Sequence, residues 1–117
     1  MNRRPAFLFL TLAAFAVLAV TSSARGAGRS GQELFKDTCK SCHLPDSPNG
    51  EYTPMSLIQD QWREFFAEQW VPAHENLTDP AHDGRKVLEL LAPEEFELLR
   101  DWTIEHAADS ENPMTCG

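Results

Sequence analysis

The run Cys39-Lys40-Ser41-Cys42-His43 constrains this chain more than any other stretch of it. Two thiols three positions apart fall on one side of a helical turn, and a histidine follows at once. A C-x-x-C-H run is the attachment pattern of a c-type haem. Each thiol forms a thioether with one of the two vinyl groups of a single porphyrin, and the adjacent imidazole binds iron from beneath the ring. A redox dithiol is one alternative, but it belongs near a βαβ pattern, and no run here alternates as a strand does. Zinc is another, drawing on Cys39, Cys42 and Cys116 with a fourth ligand from His74, His82 or His106. Zinc gives no reason for a histidine directly after the second cysteine. The expectation is one covalent haem c, tethered by Cys39 and Cys42 with His43 as proximal iron ligand.

The 117 residues suffice for one small domain. Arg3 and Arg4, an apolar stretch from Ala6 to Val20, and the small residues Thr21-Ser22-Ser23-Ala24 have the layout of a secretory signal peptide. Cleavage is expected after Ala24, and the apolar stretch falls short of the roughly 20 residues that span a bilayer. Residues 1–24 thus read as signal, 25–29 as a Gly-rich mobile leader, 30–108 as the domain and 109–117 as a polar tail. Export and the haem motif agree, because c-type haem is attached outside the bacterial cytoplasmic membrane. A periplasmic or otherwise exported protein with no stable membrane span follows.

Residues 25–117 carry eight Lys/Arg against eighteen Asp/Glu, a net of −10. No basic patch is available for nucleic acid. Acidity of this size speeds encounter with a partner bearing a basic face, an effect that salt weakens; it also simply keeps a small exported protein soluble. About ninety residues make a thin core, and a tethered porphyrin supplies apolar contact that the chain lacks.

Ser30-Gly31-Gln32-Glu33 has the spacing of a capping box. Leu34, Phe35, Thr38, Cys39 and Cys42 follow at helical spacing, so one helix is expected to deliver both cysteines. This stretch, Gly31-Gln32-Glu33-Leu34-Phe35 through Cys39-Lys40-Ser41-Cys42-His43, resembles the N-terminal helix of class I cytochromes c. Leu91 to Trp102 is similar to the C-terminal helix of that family. The resemblance implies an all-α fold in which the two end helices cross around one haem. It assigns Gly31 to the close crossing and Phe35 to the aromatic packing beside it. Between them lie a turn-rich connector over Leu44–Pro54 and a helix carrying Ile58, Trp62, Phe65, Phe66 and Trp70. An irregular stretch from Val71 to Arg85 and a short helical piece over Lys86–Leu91 follow. Pro93 sits at the first position of the last helix, with Glu94 and Glu95 in its first turn.

The family usually places a distal methionine before the C-terminal helix, and no methionine lies between Ser56 and Pro113. The candidates for the second axial position are His74 first, then Met55, His82 and Met114, with a vacant position as the remaining case. Methionine with histidine raises a haem potential relative to two histidines. Cys116 is left unpaired and suggests a disulfide-linked dimer.

The resemblance implies an electron carrier rather than an enzyme, moving single electrons between exported or membrane redox partners by weak, transient docking. The alternatives are a haem-based small-ligand sensor with an open distal site and a haem subunit of a larger oxidoreductase.

Overall fold

The computed structural model describes residues 28–114. The expected capping box forms at Ser30: its hydroxyl accepts the Glu33 amide at 3.2 Å, and the Glu33 carboxylate accepts the Ser30 amide at 2.7 Å. That closes the start of α1 (Gly31–Leu34), which runs on without a break into a π-helical turn, Phe35–Cys39. The expectation that one helix carries both cysteines is met only at Cys39. Cys42 and His43 fall in the turn beyond, where their amides bond back to the Cys39 carbonyl at 3.3 and 2.9 Å.

The connector that follows is held by its own polar groups. Ser47 Oγ donates to the Cys42 carbonyl at 2.5 Å, and the Tyr52 amide to the His43 carbonyl at 3.4 Å. Asp46 and Gly50 take positive φ there, at 62° and 79°, as tight turns require. A 3-10 turn over Pro54–Ser56 leads to α2 (Gln59–Glu64); Gln61 Oε1 accepts the amide of its N-cap Ile58, and Asp109 Oδ1, from fifty residues away, that of Gln59.

A second π-helical turn, Phe65–Gln69, joins α2 to α3 (Trp70–His74). The sequence places the end of this helix near Trp70, because Pro72 lacks the amide that continues a helical ladder. The chain instead stays helical to His74. The π turn lies just ahead of the proline, and α3 carries Pro72 at its third position.

The Val71–Arg85 stretch contains a short ladder absent from the all-helical expectation. β1 (Thr78–Asp79) pairs antiparallel with β2 (Arg85–Lys86), with Thr78 opposite Lys86 and Asp79 opposite Arg85. Its loop is a 3-10 turn, Pro80–His82, reversed by the positive φ of Asp83 and Gly84. A further 3-10 turn, Val87–Glu89, supplies the short helical piece expected there. α4 (Pro93–Glu105) begins with Pro93 in its first turn, and Glu95 Oε2 accepts the Ala92 amide at 3.0 Å.

The result is a mostly helical small domain in which α1 packs on α4. Gly31 permits the approach: a Cβ there would lie 2.2 Å from Trp102 Cβ and 2.6 Å from the Leu98 carbonyl oxygen. Phe35 meets Trp102 beside it, with ring centroids 5.5 Å apart. Leu34, Leu99 and Ala107 are wholly buried around this junction, joined by Trp62, Phe66, Trp70 and Val87. Arg29, assigned to the leader, is tied down by Glu95 at 2.9 Å and by Asp37. The tail is anchored as well, since Asp109 Oδ1 accepts the Gln59 amide and the Met114 amide bonds the His106 carbonyl. Among the described residues no helix is long and apolar enough to cross a membrane. The expected signal peptide and Cys116 lie outside the described residues.

Candidate functional site

The helices do not close on each other everywhere. Between the Cys39–His43 turn and the α2–α3 arm lies a cavity of about 570 Å³, within the range of pockets that enclose a small molecule or cofactor. Cys39, Cys42 and His43 line it from one side, and Phe65, Trp70 and His74 come from the arm. The buried rings of Phe35, Trp62 and Phe66 add further apolar surface, and Tyr52, Leu77 and Val87 are also part of the lining. The two π-helical turns sit at the roots of these contributions: one ends on Cys39, the other leads into the turn that carries His74.

The two histidines in the cavity are held alike. His43 Nδ1 lies 3.0 Å from the Gly50 carbonyl oxygen, and His74 Nδ1 lies 2.8 Å from that of Trp70. A carbonyl only accepts, so Nδ1 is the donor in each ring and Nε2 is the nitrogen left to meet a ligand. The ring centroids are 6.4 Å apart and the planes stand at 89°. Tyr52 meets His43 edge-on at 5.0 Å, while His74 rests against Trp70 at 4.5 Å and Phe65 at 6.3 Å. Burial holds His74 below the ordinary imidazole range, against the opposing pull of the Trp70 carbonyl; His43 adds to the lowering.

Both cysteines are free thiols. Burial pushes the Cys39 thiol up to about 12, a rise that Lys40 opposes and Cys42 reinforces. Among the described residues no three His, Cys, Asp or Glu side chains gather closely enough to hold a metal ion.

Of the other candidate ligands, Met55 is 41 % exposed and does not line the cavity, nor does Met114 in the tail. His82 lies outside it too, in a polar cluster that sequence patterning did not reveal. Asp79 is 1 % exposed, and its carboxylate accepts three bonds: Ser41 Oγ at 2.6 Å, the Ala81 amide at 2.8 Å and His82 Nδ1 at 2.7 Å. His82 Nε2 reaches Asp37 at 3.2 Å. Burial alone would raise the Asp79 carboxyl, but the bonds from Ser41, His82 and Ala81 outweigh it and hold the group below the usual carboxylate range. The hydrogen bonds to Asp79 and then Asp37 raise His82. Because Ser41 lies between the two cysteines, this cluster fastens the β1–β2 loop to the C-x-x-C turn. The one sequence sign of it is Asp79-Pro80, a turn-initiating pair.

No protein-family model, curated protein or solved structure matches this chain.

Proposed function

We propose that the cavity holds one c-type haem, bound through thioethers from Cys39 and Cys42 with His43 as an axial ligand, and that the protein carries single electrons outside the cytoplasm. The observation that carries this reading is the convergence of both thiols and the His43 imidazole on one aromatic-walled cavity of about 570 Å³. Among the described residues these donors form no cluster of three able to hold a bare ion, and a macrocycle that brings its own four nitrogens needs none. The bound haem would supply the one-electron couple.

The chain's own residues bind, orient and shield. Cys39 and Cys42 fix the group permanently. The Gly50 carbonyl sets the His43 tautomer and the direction of Nε2, as outer partners of ligating imidazoles do. Phe35, Trp62, Phe66 and Trp70 are buried and keep water from the cavity's inner side, which keeps the local polarity low. Leu44 and Tyr52, 51 % and 40 % exposed, flank the motif and offer an apolar contact for transient docking. The net charge of −10 over residues 25–117 favours a partner with a basic face, through encounter rates that fall with salt. No side chain has to act as acid, base or nucleophile for this task.

The test is the intact mass of the protein produced with a haem-attachment system, before and after acid–acetone extraction. A gain of one haem that survives extraction is expected, reduced to a single thioether in Cys39→Ser or Cys42→Ser and lost from the double variant. Haem that extracts freely from the unaltered protein, or is never acquired, overturns the proposal.

A further inference from the structure

Resting on the haem reading just given, we infer that His74 is the second axial ligand, so that the iron is held by two histidines and the site is closed to small molecules. The spacing of the two imidazole rings carries it. Two imidazoles bound in line to one first-row metal ion, with bonds of about 2.0–2.1 Å as at zinc and ring centres about 1.1–1.2 Å behind the ligating nitrogens given ring bonds near those of a peptide C–N, have centroids about 6.2–6.6 Å apart. His43 and His74 stand at 6.4 Å. The two rings come from separate elements, each anchored by its own backbone carbonyl, and stand at the spacing that one shared ion between them needs.

The tautomers point the same way. Each Nδ1 is committed to a backbone carbonyl, so both free lone pairs are on Nε2. His74 is also fixed from behind by Trp70 and Phe65, an orientation set before any iron arrives. Helix register explains how the ring reaches this position. The π-helical turn Phe65–Gln69 lies ahead of α3, and π-helical turns inside helices are frequent at functional sites. Met55, His82 and Met114 have no comparable placement: none lines the cavity, and both ring nitrogens of His82 are engaged by Asp79 and Asp37.

Two consequences separate this ligand set from the alternatives. The potential lies on the low side of the His/Met range, and a filled sixth position resists carbon monoxide in the reduced protein. The 89° angle between the ring planes adds a signature, because perpendicular axial imidazoles give a strongly anisotropic low-spin electron paramagnetic resonance signal in the ferric state.

The experiment uses the haem-loaded, full-length chain and three preparations: unaltered, His74→Ala and His82→Ala. The unaltered protein is expected to be six-coordinate and low-spin, with a near-infrared charge-transfer band of the two-nitrogen class in magnetic circular dichroism. His74→Ala is expected to turn high-spin and to bind carbon monoxide at least about a hundredfold faster, and added imidazole to restore the low-spin spectrum. His82→Ala is expected to keep the unaltered spectrum. A sulfur-ligand band in the unaltered protein, a high-spin spectrum there, or a low-spin spectrum in His74→Ala without imidazole overturns the inference. A sulfur-ligand band or a high-spin spectrum in the unaltered protein overturns the inference even where the variants fold badly. All of these outcomes leave the haem reading standing, which fails only if covalent haem is not acquired.

Discussion

Two regions of this small domain are finished to different degrees. At the α1–α4 junction, protein atoms fill the space completely: Leu34 and Leu99 are wholly buried, Phe35 sits against Trp102, and Gly31 lacks a Cβ because Trp102 occupies its place. A short distance away, the walls from the Cys39–His43 turn and from α3 carry large aromatic rings and yet leave about 570 Å³ between them. A domain of this size cannot easily forgo that much apolar contact, since small domains bury a smaller share of their surface to begin with. On the proposed reading, one half of the core is made by the chain alone and the other is completed by the haem. Substitutions in the first half should therefore change stability whether or not haem is bound, while those in the second should change what the haem does.

The sharpest way to break this comparison is Gly31→Ala. A methyl group would have to displace both Trp102 and the Leu98 carbonyl, and overpacking of this kind costs about 1–3 kcal/mol or more. A lowered denaturant midpoint with an unaltered haem spectrum is expected; a neutral effect would mean that the helix junction is looser than described. Asp79→Asn tests the seam between the two halves. It removes a buried charge that accepts bonds from Ser41, Ala81 and His82, and hydrogen bonds to charged groups are worth about 1.5–3 kcal/mol each. Chemical denaturation should show a loss in that range, and the β1–β2 loop should gain amide exchange before α4 does. Ser30→Ala is the smallest of the three, at about 1 kcal/mol for a lost N-cap, measured the same way.

Titration refines the seam further. Asp79 and then Asp37 raise His82 in the folded chain, so its ion pairs contribute fully below the ordinary imidazole value of about 6.5. That contribution is lost as pH rises through the raised value. Asp79 and Glu95 have the opposite sign: both are lowered, so their contribution is present above the ordinary carboxylate range and lost as pH falls through their folded values. Stability followed by denaturant from pH 5 to 9 should decline across the upper part of that interval. In His82→Gln this decline should be absent.

How much of this was legible beforehand follows the same division. Gly31, Phe35, the Ser30–Glu33 box and the Pro93 start are local patterns, and helix periodicity with capping chemistry locates them without reference to the rest of the chain. The aromatic stripe from Trp62 to Trp70 was legible as an inward face for the same reason. The Thr78–Asp79 and Arg85–Lys86 pairing was not, because two polar residues per strand carry no alternation to detect. Asp79 could not be found as the carboxylate beneath Ser41, since 38 positions separate them. His74 could be proposed as a candidate ligand but not separated from His82 by composition or spacing. What distinguishes them is three-dimensional: one ring faces His43 across the cavity and the other is spent on two carboxylates. The π-helical turns that help create this difference have no sequence signature beyond the proline that follows one of them.

The central claim is that the cavity exists to hold a permanently attached one-electron carrier. Protein-film voltammetry on the haem-loaded chain, with optical spectra recorded in both redox states, tests it most directly. The account expects one reversible one-electron wave, with the same six-coordinate spectrum class on either side of it and no catalytic current with dioxygen or peroxide. An irreversible wave, or a change of coordination number on reduction, would contradict it.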